Sequence, residues 1–175
     1  MKKYFLLCTL IGAVLLGFTA CGDDDDEPQL TPAELMAGIY AGVDNVNVGG
    51  QWSYQASNSP KYTITANADG TINITIPVRQ YDNTQVGNIV AGTYTIKNIA
   101  WDATANAWVR DYHSDGIKGH VTISGDRMKM DGDYDLNDAR CKVAIAKDAQ
   151  GNITVSNAAV YGKMPFALTF TFVGK

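Results

Sequence analysis

Residues 62–76 read YTITANADGTINITI, and their alternation decides the fold class. Tyr62, Ile64 and Ala66 project to one side and Thr63 and Thr65 to the other. After a break, Ile72, Ile74 and Ile76 alternate in the same way with Thr71, Asn73 and Thr75. Successive side chains of a strand point to opposite faces, so this period of two reads as strands with one buried face. Asp69-Gly70 between the two runs is a strong hairpin signal, because both residue types tolerate the positive φ that tight hairpin turns demand. Pro77 ends the second strand.

The pattern continues outward to the C-terminus. Val86–Ile99 is a long extended run broken near Ala91-Gly92. Ile117–Ser124 and Arg127–Tyr134 flank a Gly125-Asp126 turn, with Met128 and Met130 inward and Arg127, Lys129, Asp131 and Asp133 outward. Cys141–Ala146 and Asn152–Val155 flank a turn at Ala149–Gly151. In the last run Phe166, Leu168, Phe170 and Phe172 alternate with smaller residues. Eight or nine strands are expected, joined by short turns with no helix long enough for parallel crossovers. Such a meander must dispose of its edges, and closure does so. The expected fold is all-β, an antiparallel up-and-down eight-stranded barrel whose last strand pairs with its first. A two-sheet β-sandwich is the alternative, since periodicity does not separate the two.

Upstream of the strands, Thr31-Pro32-Ala33-Glu34 reads as a helix start, with Thr31 capping, Pro32 in the first turn and Glu34 reaching back. Gly38 is expected to end it after a turn or two.

The N-terminus has a different character. Lys2 and Lys3 precede an apolar run, Tyr4–Phe18, that suits a secretory signal and is short for a bilayer span. Residues 16–28, LGFTACGDDDDEP, place small residues before Cys21 and an acidic run after it. This resembles a bacterial lipobox, which implies cleavage before Cys21 and lipidation of its thiol and amine. Asp23–Glu27 repel one another and stay solvated, which suits a tether. Acids just after the cysteine are similar to the lipoprotein export signal of Bacteroidetes, which implies the outer leaflet of the outer membrane; the periplasmic leaflet is the alternative. The expected divisions are residues 1–20 as signal peptide, 21–34 as lipidated cysteine and tether, and 35–175 as the barrel.

The chain carries a net charge of −4, and the part beyond the tether is close to neutral, about −1. That body has no clustered Lys or Arg to replace the counterions of a nucleic acid, so no nucleic-acid partner is expected. Of three cysteines, Cys8 leaves with the signal and Cys21 is the lipid site. Cys141 is then alone, so stability rests on the core and not on a disulfide.

Five segments in order, GIYAGVDNV (38–46), YTITANADGTINITI (62–76), VGNIVAGTYTIKNI (86–99), IKGHVTISGDRMKMDGDY (117–134) and FALTFTFVGK (166–175), together resemble the calycin-like domains of Bacteroidetes lipoproteins. The resemblance implies a lipocalin-like barrel over Gly38–Lys175 and carries no catalytic signature onto any residue here.

Residues able to do chemistry are sparse. His113 and His120, with Asp111, flank a turn and would be candidate metal ligands, but zinc sites show tighter spacing and more ligands. Asp131, Asp133 and Asp135 start like a calcium loop, which needs Gly and Glu where Leu136 and Lys142 stand. Cys141 lacks an adjacent base. Catalytic residues, metal and cofactor are therefore all read as none, and the chain is read as a non-enzyme. The aromatics in or near expected loops carry more. Trp52, Tyr54, Trp101, Trp108 and Tyr112 are the candidate ligand-binding residues, with WDATANAWVRDY (101–112) the leading segment, since aromatic loops at a barrel mouth can stack on apolar or sugar ligands. The expected function is a lipid-anchored envelope protein that binds a small apolar or aromatic ligand, or a glycan, at the mouth. The alternative is a structural or accessory lipoprotein with a filled barrel, acting on an outer-membrane protein partner. Small inward residues, read as Ala66, Ala144 and Ala146, would favour a cavity; Phe166, Phe170, Phe172, Met128 and Met130 would fill it.

Overall fold

The computed structural model describes residues 29–175. Cys21, the signal segment and the acidic run lie outside the described residues.

A three-residue 3-10 turn, Glu34–Met36, precedes thirteen strands. The Thr31 N–H donates to Glu34 Oε2 at 2.7 Å and the Glu34 N–H to Thr31 Oγ1 at 3.2 Å, the reciprocal pair expected of a capping box. Gly38 does not end this turn but opens the first strand.

Eight strands close the barrel: β1 (Gly38–Val48), β3 (Lys61–Ala66), β4 (Ile72–Ile76), β7 (Tyr94–Asp102), β8 (Ala107–Asp111), β11 (Lys142–Lys147), β12 (Ile153–Ala159) and β13 (Leu168–Gly174). Each pairs antiparallel with the next, and β13 returns to β1 with Gly42 opposite Gly174 and Val48 opposite Leu168. The circuit of hydrogen bonds is continuous, which settles barrel against sandwich. The β3–β4 hairpin has its turn at Asn67–Gly70, held by the Asn67 and Thr71 backbones and by Asp69 Oδ1 accepting the Thr71 N–H at 3.0 Å.

Strands beyond eight or nine come from three insertions. β2 (Trp52–Gln55) folds back on the second half of β1. Hairpin β5 (Arg79–Thr84)–β6 (Gly87–Ala91) leaves between β4 and β7, and hairpin β9 (Lys118–Ser124)–β10 (Lys129–Asp135) leaves between β8 and β11. These two hairpins join through β6 and β9 into a separate four-stranded sheet. Both leave and re-enter at the same end of the barrel, so this sheet caps that end. Its buried face, including Arg79, Tyr81, Ile89, Val121 and Ile123, belongs to the same core as the barrel interior. Met128 and Met130 are half-buried beside this cap.

Large side chains occupy the interior. Tyr62 stacks on Phe172 at 4.3 Å, and Tyr81 lies 5.9 Å from Phe170, both ring to ring. Phe166 precedes β13 and is half-buried. Along β11 the inward positions are Val143 and Ile145, with Cys141 just before them, while Ala144 and Ala146 sit on the other face. Ala144 and Ala146, expected to leave room inside, are therefore not interior, because the phase of that strand is set by Cys141, Val143 and Ile145, whereas Ala66 keeps the inward phase of Tyr62 and Ile64 and packs against the core.

The seam of the barrel depends on close approach. A Cβ at Gly42 would lie 2.1 Å from the Val173 carbonyl oxygen, and one at Gly174 would lie 2.6 Å from that of Ala41. Gly42→Ala should cost roughly 1–3 kcal/mol by forcing β1 from β13. Thermal unfolding should show a fall of several degrees; an unchanged midpoint would mean the seam does not need this contact.

Candidate functional site

The end of the barrel opposite the cap is where the described chain begins. Here the β3–β4, β7–β8 and β11–β12 turns gather, and the segment Thr31–Met36 crosses beside them. Ala33 and Met36 are buried, and they fix the segment to the barrel. Tyr40 donates from its hydroxyl to the Met36 carbonyl at 2.8 Å, and Lys147 Nζ donates to the Leu35 carbonyl at 2.7 Å. The Glu34 carboxyl is held below its ordinary value by the Thr31 backbone and hydroxyl bonds.

Across from this segment stands the β7–β8 hairpin. Asp102 Oδ1 accepts the Thr104 and Ala105 N–H groups at 2.8 and 3.1 Å, and Asn106 takes a positive φ of 48°. This side chain-to-backbone turn holds the flanking strands in register, with Trp101 opposite Trp108. The two indoles meet edge to face at 5.7 Å. Trp108 is buried at 3% exposure and Trp101 is open at 49%, so the pair offers one ring backed by another. Between hairpin and segment lies a groove of about 530 Å³, with Pro32, Leu35 and Met36 on one wall, Trp101 and Trp108 on the other, and Lys147 also lining it. Gly70 and Asn106 line it as well. Leu35, which lines it, is more than half exposed.

Of the aromatics singled out in sequence, only Trp101 and Trp108 come together. Trp52, 42% exposed, and the half-buried Tyr54 lie on β2, against the half of β1 that runs toward the cap. Tyr112 follows β8 at the capped end and is fully buried, its hydroxyl 2.8 Å from Asn157 Oδ1 and 2.7 Å from the Ala158 carbonyl. His120 faces outward on β9, with Nδ1 2.9 Å from Asp133 and Nε2 3.4 Å from Asp131. Asp131, Asp133 and Asp135 are exposed along β10. Among the described residues no cluster of three His, Cys, Asp or Glu side chains is placed to hold a metal ion. Cys141 is buried, accepts the Val160 N–H at 3.4 Å, and has its thiol pushed up by burial.

Sequence reasoning missed both sides of the polar interior. Asp44, buried on β1, accepts hydrogen bonds from the hydroxyls of Tyr62 and Tyr81, the latter at 2.7 Å. Arg79, on β5, is fully buried with its guanidinium 3.8 Å from the centre of the Phe170 ring. The inward phase of Asp44 follows from its alternation with Tyr40, Val46 and Val48. It was the available signal. The groove residues on Thr31–Met36 and Lys147 had none, because their meeting is set by tertiary structure.

Burial pushes the phenols of Tyr62, Tyr81, Tyr112 and Tyr161 above the ordinary value of 10.0. The fold favours their neutral form, so this contribution to stability is intact below pH 10 and is lost as pH rises above it. Alkaline difference spectroscopy should find these four of the nine tyrosines silent until the protein unfolds. Smooth ionisation of every tyrosine near pH 10 would contradict the buried placement.

Comparison with known proteins agrees with this architecture. The family model described as the calycin-like β-barrel domain matches residues 36–175, and the chain belongs to that family. Among solved structures, a protein of Bacteroides fragilis provisionally described as an outer membrane protein is similar with a TM-score of 0.50 and 17% identity. The likeness covers 82% of this chain and 52% of the other, so this chain spans about half of that protein's length. No curated protein matches.

Proposed function

We propose that this calycin-like chain is a lipid-anchored binding protein of the cell envelope that takes a small apolar ligand in the groove between Thr31–Met36 and the Trp101–Trp108 hairpin. The observation that carries the reading is the groove itself. Its volume of about 530 Å³ falls within the range of small-molecule sites. Its walls are apolar side chains with an exposed indole at the rim, and its polar groups are few. Burial of apolar surface would supply the affinity, and no bond need be made or broken. A glycan would require more convergent polar groups than Thr31, Asn106 and Lys147 offer.

The groove's position supports the envelope setting. If Cys21 carries the lipid, residues 22–28 reach at most roughly 25 Å, so the groove would stand close to the bilayer from which an apolar ligand would come. The outer-membrane description of the Bacteroides fragilis neighbour is consistent with that setting.

A second reading, an accessory lipoprotein acting through its outer surface, draws support from the packed interior. Binding separates them. The soluble chain from Pro28 onward would be titrated with a brominated fatty acid, which quenches nearby indoles. Saturable quenching is expected, and Trp101→Ala should weaken binding about tenfold, matching the loss of part of one aromatic contact. Absence of binding, or binding that Trp52→Ala removes and Trp101→Ala leaves unchanged, would overturn the groove.

A further inference from the structure

Arg79 opens β5 just after the chain leaves the barrel wall, and its side chain turns back into the interior. Phe170 covers the guanidinium at 3.8 Å and Tyr94 lies at 5.9 Å, so aromatic rings occupy its face. The N–H donors, however, point along its edge. None of Nε, Nη1 and Nη2 has a hydrogen-bond acceptor from the protein, and all are buried. The buried hydroxyl of Tyr161, in the connection that leaves β12, also has no partner. Arg79 and Tyr94 both lie close to that hydroxyl, outside hydrogen-bonding geometry.

A guanidinium does not give up its proton in a protein, so the charge must be met. Cation–π contact meets part of it and leaves the edge donors unused. Asp44, the other buried charged side chain, accepts from the uncharged hydroxyls of Tyr62 and Tyr81 and from none of the Arg79 N–H groups, so the edge donors of Arg79 are still unmet. Water on the guanidinium edge would accept these hydrogen bonds one at a time, whereas an anion accepts several at once in shorter, charge-assisted bonds.

We propose that Arg79 and Tyr161 form an internal anion site where the cap sheet meets the barrel, taking a small monoanion whose acceptor atoms receive the guanidinium edge and the Tyr161 hydroxyl. A halide and the carboxylate of a small organic acid share this chemistry. The site is separate from the groove at the other end of the barrel. Its occupant would bridge β5 of the cap to the β12–β13 connection and so help hold the cap on the barrel.

The test uses the full chain in non-ionic detergent, exchanged into a buffer whose only anion is a bulky sulfonate. Wild type, Arg79→Met and Tyr161→Phe are unfolded thermally while chloride, bromide or acetate is added, and small anions released by denaturation are identified by mass spectrometry. Binding to the native state alone raises the midpoint with ligand concentration. Wild type should gain several degrees with a saturable dependence, or release a stoichiometric anion; which anion acts separates halide from carboxylate. Arg79→Met should show neither, and Tyr161→Phe should require about tenfold more anion. If Arg79→Met fails to fold, Tyr161→Phe decides by the same shift. No midpoint change together with no released anion would overturn the proposal in favour of water on Arg79. Equal shifts in wild type and both variants would overturn it as a general salt effect.

Discussion

The contact between the Arg79 guanidinium and the Phe170 ring, 3.8 Å apart, joins the two parts of this molecule. Arg79 belongs to the cap sheet and Phe170 to the closing strand of the barrel. A planar cation stacked on an aromatic face tolerates burial that an aliphatic ammonium would not, because guanidinium is weakly hydrated and presents a flat surface. Around the pair, Tyr81 reaches from the cap to Phe170, and Tyr62 stacks on Phe172. Asp44 draws Tyr62 and Tyr81 together. The interior is thus a set of aromatic and charged groups that hold each other in register.

This packing decides where function can sit. A lipocalin-like barrel often uses an open mouth, but here four strands cover one end and their inward side chains join the barrel core beneath. The opposite end is crossed by only a short segment, anchored by Ala33 and Met36. Space remains outside the barrel at that end, between that segment and the Trp101–Trp108 hairpin. The division of labour is between a packed end that stabilises and a grooved end next to the N-terminal entry of the chain.

The barrel was legible in the sequence because alternation and turn residues coincide. Ile72, Ile74 and Ile76 follow Asp69-Gly70, and Phe170 and Phe172 mark a strand that must face a closed core. The cap sheet was not legible. A period of two reports that a strand has a buried face but not which sheet it joins, so β6, β9 and β10 read as barrel strands, and β5 did not read as a strand at all. Arg79 sits in VRQYDNT (78–84), a polar stretch in which only the fold shows that Arg79 and Tyr81 point inward. The candidate site was half legible. Trp101 and Trp108 stood out around a polar turn, whereas Tyr112 in the same segment turned out to be buried against Asn157 and Ala158. Lys147 and Leu35 lie far apart in sequence and meet only in the fold.

The cap is a fixed part of the core and not a door to an internal calyx. Native-state hydrogen exchange on the full chain measures this directly, since amides of a sheet that opens locally exchange faster than those of the barrel. The central strands of the cap, β6 and β9, should be protected as strongly as β12 and β13 and lose protection only with global unfolding. Fast exchange confined to the cap strands, with the barrel still protected, would show an interior that opens and would contradict a fixed cap.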